Sequence, residues 1–222
     1  HKVVLPVGEQ DVLTRSAKIC AKCGYLHPMK AEPGLDLCQS CKQQLPKEMD
    51  NLLPLRNVAT KRKDRISSDE EERLRLGYDI VTGVRYAEVH GEALRRRATV
   101  RNGELDIAGL EYGHAATLWR INLGWKRRAN KQIFGFVLDT DRGYWARDEH
   151  VEEDAGKDDP MSPRKKRVVP YVEDRRNSLM FEMGETLDKG VAFSLMAALK
   201  NAIQVEYQLE DSEIAAEPLP ST

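Results

Sequence analysis

The sequence predicts an α+β protein dominated by antiparallel sheet, and three observations carry that reading. Four cysteines fall in two closely spaced pairs near the start, Cys20 with Cys23 and Cys38 with Cys41. A run of short strand-like segments follows between residues 80 and 147, broken by turn residues. One apolar-periodic segment, 188–208, has the three- and four-residue spacing of a helix, through Val191, Leu195, Ala198, Leu199, Ala202 and Val205.

Residues 1–55 read as a four-cysteine zinc-knuckle module. Lys2 to Leu5 is strand-like, and Gly24, Pro28, Pro33 and Gly34 exclude a long helix around the cysteines. Each Cys-x2-Cys turn points two sulfurs at one place, and two such turns close a tetrahedron. The chain has four cysteines and all of them lie in this pattern, which favours a metal site over a disulfide scaffold. Gly24, directly after Cys23, suits the left-handed turn such a knuckle uses. Cys20, Cys23, Cys38 and Cys41 are therefore the expected ligands of one structural Zn2+, with no open position for catalysis. His27 reads as a loop residue, and Lys18, Lys22, Lys30 and Lys42 surround the pattern as either phosphate contacts or solvated side chains.

Residues 56–147 read as a capped helix followed by antiparallel sheet. Residues 42–65 serve as connector, ending in Lys61-Arg62-Lys63-Asp64-Arg65. Ser68 with Glu71 forms a capping box at the head of a short helix that Gly77 stops. Strands are expected at 80–89, 96–101, 104–111, 115–123, 132–139 and 143–147, with Asn102-Gly103 as a hairpin turn. Residues 148–167 read as a flexible charged loop, acidic and then basic. Residues 168–222 read as a strand-helix-strand, βαβ-like element, its last strand at 214–219 and truncated by the end of the chain. No internal repeat is evident. The chain opens on His1 and reads as part of a longer polypeptide.

Charge separates these parts. Net charge is −1. Residues 1–55 carry 7 basic and 6 acidic side chains, residues 56–131 carry 17 and 11, and residues 132–222 carry 11 and 19. The middle third alone has a surplus that attracts polyanions. Its concentrated cations are Arg95, Arg96 and Arg97, and Lys126, Arg127, Arg128 and Lys131. These are the candidate DNA-contacting residues. Trp119, Trp125 and Trp145 lie nearby, and cations beside aromatic rings can grip a single strand. The alternation of its strand places Trp119 in the core. The apolar runs are too short to span a bilayer and no signal peptide is legible, so a cytoplasmic protein without membrane contact is expected.

Catalytic signatures do not emerge. His114 and His150 have no nucleophile partner suggesting a triad, and neither a phosphate-binding Gly-x4-Gly-Lys-Ser/Thr loop nor an Asp-Glu-x-His box is present. The run Asp69-Glu70-Glu71-Glu72 follows no apolar strand and reads as a helix start. Ser162 to Arg167 reads as a flexible basic arm.

Three stretches taken together resemble the C-terminal region of large bacterial DEAD/DEAH-box helicase-like proteins. They are Arg65 to Tyr78, Ala116 to Trp125 and Phe134 to Asp139. Such proteins occur in Mrf-type DNA repair and in the DISARM and Druantia antiphage defence systems. The resemblance spans most of residues 15–222 and implies a zinc-binding accessory region whose helicase core lies elsewhere in the polypeptide or complex. The expected role is DNA binding, docking of the motor, or both, without enzyme activity of its own. The alternative is a protein–protein interaction scaffold that touches no nucleic acid.

Overall fold

The structure, a computed structural model, describes residues 2–4, 14–29, 34–56, 58–59, 77–146 and 165–219. The expected capped helix at 68–76 and most of the charged loop lie outside the described residues. Twelve strands and one helix are found among those described. The strands are β1 (Lys2–Val3), β2 (Arg15–Ile19), β3 (Leu26–Pro28), β4 (Met49–Pro54), β5 (Val58–Ala59) and β6 (Tyr78–Arg85). They continue with β7 (Glu88–Val89), β8 (Glu92–Ala93), β9 (Arg95–Asn102), β10 (Leu105–Trp125), β11 (Phe136–Asp139) and β12 (Lys165–Met183). The helix is α1 (Lys189–Tyr207). The chain is thus mixed α and β and mostly sheet. No described helix is long and apolar enough to cross a membrane.

The largest sheet runs in the order β3-β2-β4-β12-β10-β6, with β11 added on β12 and β9 on β10. Two compact units divide the chain, His1–Gly83 with Trp119–Asp174 and Val84–Leu118 with Arg175–Thr222. Strands β6, β10 and β12 each contribute residues to both.

In the first unit the core forms where β2, β3 and β4 meet the inward residues of β10 and β12. Ala17, Ile19, Leu26 and Leu52 pack with Trp119, Ile121, Leu123, Val169 and Tyr171. The Trp119 and Tyr171 rings stack with centroids 4.3 Å apart, so the inward placement read from alternation holds. A second cluster joins Val3 of β1 to Leu53, Leu138 and Val168.

The stretch read as connector contains a central strand. β4 pairs antiparallel with β2 and parallel with β12, with Leu52 opposite Val169. Two buried leucines between Asn51 and Pro54 are too short a pattern to announce a strand. The parallel pair also departs from an all-antiparallel sheet, and β4 and β12 are far enough apart in sequence to allow it.

In the second unit β9 and β10 form the expected hairpin. Its turn lies one residue later than expected: Asn102 pairs with Leu105 and ends β9, leaving Gly103 and Glu104, not Asn102 and Gly103, as the two-residue loop, with Gly103 at φ +61°. The two strands expected at 104–111 and 115–123 are one continuous strand, β10. Its register shifts between Asp106 and Ala108, and Ala115 takes φ +52° with its N–H donated to the Asn177 side chain at 3.2 Å. Such irregularities absorb a break in the apolar alternation without ending the strand. Likewise Lys165, Lys166 and Arg167, expected in the loop, begin β12 by pairing with β11.

Helix α1 follows the periodicity that predicted it. Asp188 caps it by accepting from the Gly190 N–H at 2.8 Å, and Gln208 ends it with φ +53°. The strand expected at 214–219 is not there. After Gln208 the chain turns on itself: the Glu213 carboxylate accepts from the Glu210 N–H at 2.8 Å, and Lys200 holds Asp211 at 2.6 Å. Residues 209–219 therefore run without strand structure, in sequence rich in glutamate and ending toward Pro218.

Candidate metal centre and basic turn

The four cysteines come together. Cys20 and Cys41 sulfurs lie 3.6 Å apart, as do those of Cys23 and Cys38. All four Sγ atoms fall within 4.8 Å of one another. A tetrahedron of thiolates at about 2.3 Å from a central ion needs sulfurs about 3.8 Å apart, so the donor set fits one metal ion.

The local backbone explains how. Ile19 pairs with Leu26 across the first knuckle, and Leu37 bridges Gln44 across the second. Cys20 donates its N–H to Tyr25 O at 3.0 Å, and Cys38 donates to Gln43 O at 2.8 Å. Gly24 N–H returns to Cys20 O and Lys42 N–H to Cys38 O, both at 2.9 Å. The residue after each second cysteine is left-handed, Gly24 at φ +68° and Lys42 at φ +62°. Each position of the second knuckle thus lies 18 residues after its counterpart. This is a structural repeat that the sequence concealed, because only the cysteines keep their identity. Glycine fits the left-handed position without strain, whereas Lys42 holds it despite its Cβ.

The thiols shift in opposite directions. Burial pushes Cys20 up, but N–H groups of Cys23 and Lys22 and the Cys41 and Cys23 thiols together bring it below its ordinary value. Burial dominates at Cys23 and raises it strongly, aided by the neighbouring sulfurs. Burial also raises Cys38, against the N–H groups of Cys41 and Ser40. Burial thus favours the neutral thiol at Cys23 and Cys38, a preference that a bound cation would reverse.

The residues around the centre mostly serve the fold. His27, expected in a loop, is fully buried on β3 with its ring 5.1 Å from Tyr25. Lys18 donates to Leu35 O at 2.8 Å and lies 3.8 Å from Asp36, tying β2 to the segment before the second knuckle. Lys22 and Lys42 are exposed, and Lys30 lies outside the described residues.

The candidate DNA-contacting residues divide in two. In the second unit Arg95 and Arg97 both bind Glu111, at 2.9 and 2.8 Å, and Arg95 lies over the Tyr86 ring at 5.7 Å. Arg96 is exposed on the other face, opposite Tyr112. In the first unit residues 124–135 form a braced turn. Gly124 N–H binds Asn122 Oδ1, Lys126 N–H binds Gly77 O, and Gly135 N–H binds Leu123 O at 2.9 Å. Arg128 is the brace: its side chain is 12% exposed, pairs with Asp79 at 2.8 Å, and donates to Trp125 O and Lys131 O. Lys131 turns back onto Lys126 O. Lys126 and Arg127 are exposed, and their side chains have no partner among the described residues.

Beside them Trp125 stacks on Tyr78 with ring centroids 4.6 Å apart. Sequence reading placed Trp125 near the cations but had no signal for the stack, since Tyr78 lies 47 residues away. Asp79 was missed for the same reason.

No protein-family model, curated protein or solved structure matches the chain.

Proposed function

We propose that this chain is a zinc-stabilised, non-catalytic DNA-binding region, accessory to a helicase or translocase motor in antiphage defence or DNA repair. The zinc rests on the cluster of four cysteine sulfurs, since four cysteine ligands in paired turns are characteristic of closed structural zinc sites. Antiparallel β2, β3 and β4 with a knuckle at each cysteine pair have the arrangement of a zinc ribbon. The accessory role and the motor come from the resemblance of Arg65 to Tyr78, Ala116 to Trp125 and Phe134 to Asp139.

The observation that carries DNA binding is the open pair Lys126 and Arg127 on a turn fixed by Arg128. The first unit carries 26 basic and 23 acidic side chains, the second 9 and 13, so the attraction for phosphate belongs to the first. Arg95 and Arg97 share the one Glu111 carboxylate, which offsets half of their charge and orients both side chains, so they are weaker phosphate contacts than Lys126 and Arg127.

Each neutralised phosphate releases counterions, so affinity should fall steeply with salt. Lys126→Ala with Arg127→Ala should weaken binding to all sequences alike and reduce the salt slope by about one per lost contact. Folding should be unchanged, because neither side chain braces the turn. Salt titration of labelled single- and double-stranded DNA checks this; equal affinity and equal slope in the variant remove the turn from the DNA path.

A specific observation favours the second reading, a protein dock. Helix α1 has no buried residue, and Val191, Phe193, Val205 and Tyr207 are exposed on it. Binding to a partner through such a surface would be insensitive to salt.

A further inference from the structure

We infer that Trp125 is a base-stacking platform, and that the nucleic acid taken by the basic turn is single-stranded. The inference rests on the DNA-binding reading above and specifies its substrate.

The geometry of three rings carries it. Tyr78 and Trp125 lie nearly parallel, 22° apart, so Tyr78 covers one face of the indole. Phe136 stands steeply inclined to both, with its centroid 6.2 Å from each. A ring on the outer face of Trp125 would be much farther from Tyr78 than from Trp125. Equal distances put Phe136 beside the stacked pair and leave the outer face clear of it. Trp125 is accordingly 47% exposed, an uncommon state for so large an apolar ring held this firmly.

The ring and the backbone that carries it are also fixed before any ligand arrives. Tyr78 and Phe136 hold the indole, while the Trp125 backbone carbonyl accepts from the Arg128 guanidinium at 3.1 Å and from the Arg128 N–H at 3.1 Å. Gly135, at the far end of the turn, takes φ +82° with Val168 O so close that no side chain fits. The indole therefore loses little freedom on binding, which favours affinity. Directly after it come Lys126 and Arg127, the two cations without described partners. A preformed aromatic face next to open cations is what a single strand requires: rings stack on bases while cations meet phosphates. A duplex offers the phosphates but keeps its base faces covered by neighbouring pairs. The other tryptophans do not compete. Trp119 is buried, and Trp145 packs inward with Phe136 at 5.8 Å and joins the Leu138 cluster.

The test uses the zinc-loaded chain and three probes: an oligothymidylate, an abasic strand of equal length, and a duplex. The wild type should bind the oligothymidylate more tightly than the abasic strand, by between about 5- and 150-fold, the range of one stacked base. Trp125→Leu, which keeps an apolar side chain but no ring, should erase that difference and leave duplex affinity unchanged. Trp125→Phe should keep most of it. Equal wild-type affinity for the oligothymidylate and the abasic strand, with the salt slope intact, overturns the stacking platform while leaving phosphate binding standing. Absence of binding to all three probes removes the platform together with the DNA-binding reading. The comparison of oligothymidylate with abasic strand needs no variant, so a misfolded mutant cannot obscure it.

Discussion

The two units of this chain use the same kinds of side chain for opposite ends. In the first, aliphatic and aromatic residues from β2, β3, β4, β10 and β12 close over a common core, and cations stand open on a braced turn. In the second, nearly every residue of β9 is exposed, α1 buries nothing, and three arginines pair with two acids on the facing strand. Glu111 takes Arg95 and Arg97, and Asp106 takes Arg101. A basic run in sequence therefore says little until the partner strand is known. Arg95-Arg96-Arg97 and Lys126-Arg127-Arg128 look equivalent on paper, but the first is mostly cross-strand pairing and the second is a brace beside two open charges.

The largest expected contrast is at the cysteines. Cys38→Ser should remove the metal and unfold β2 to β4 of the first unit, costing about 5 kcal/mol or more, since thiolate sites gain about 10 to 16 kcal/mol from zinc. Thermal melts followed by circular dichroism check this, and an unchanged melt would separate the cysteines from the fold.

Next come two left-handed glycines, one in each unit. Gly135→Ala places a Cβ against the Val168 carbonyl at φ +82°, and should cost about 2 to 4 kcal/mol. Gly103→Ala, at φ +61° with nothing within 4 Å, should cost only about 1 kcal/mol of backbone strain. Urea melts of both variants measure the difference; equal losses would mean that packing in the first unit adds nothing to the strain.

The smallest contrast is between two arginines. Arg128→Ala should cost about 1 to 3 kcal/mol, because it strands Asp79 and frees the turn. Arg97→Ala, with a side chain 61% exposed, should cost about 0.5 kcal/mol or less. A larger loss at Arg97 than at Arg128 would reverse the roles assigned to the two runs.

What the sequence made legible follows from the range of each signal. The cysteine spacing, the hairpin at Asn102-Gly103 and the 188–208 periodicity are local, and each has its counterpart in the structure, the hairpin turn displaced by one residue to Gly103-Glu104. The inward position of Trp119 also followed from alternation. Strand β4 escaped notice because its burial depends on partners on both sides, Arg15 to Ala17 and Val169 to Tyr171, that no short window contains. Asp79, Tyr78 and the Val168 carbonyl matter to the turn through contacts across the sheet, so nothing near residues 124–135 announces them. The 18-residue repeat of the knuckles is written in hydrogen bonds and φ angles, with Lys42 where the first copy has Gly24.

The central claim is that four thiolates and one zinc ion are part of the first unit's fold. Elemental analysis of the chain purified without added metal, paired with a thiol count under native conditions, tests it most directly. One zinc per chain, with Cys20, Cys23, Cys38 and Cys41 unreactive until a chelator removes the ion, is the predicted result. A folded chain without metal, its thiols freely reactive or joined as disulfides, would contradict it.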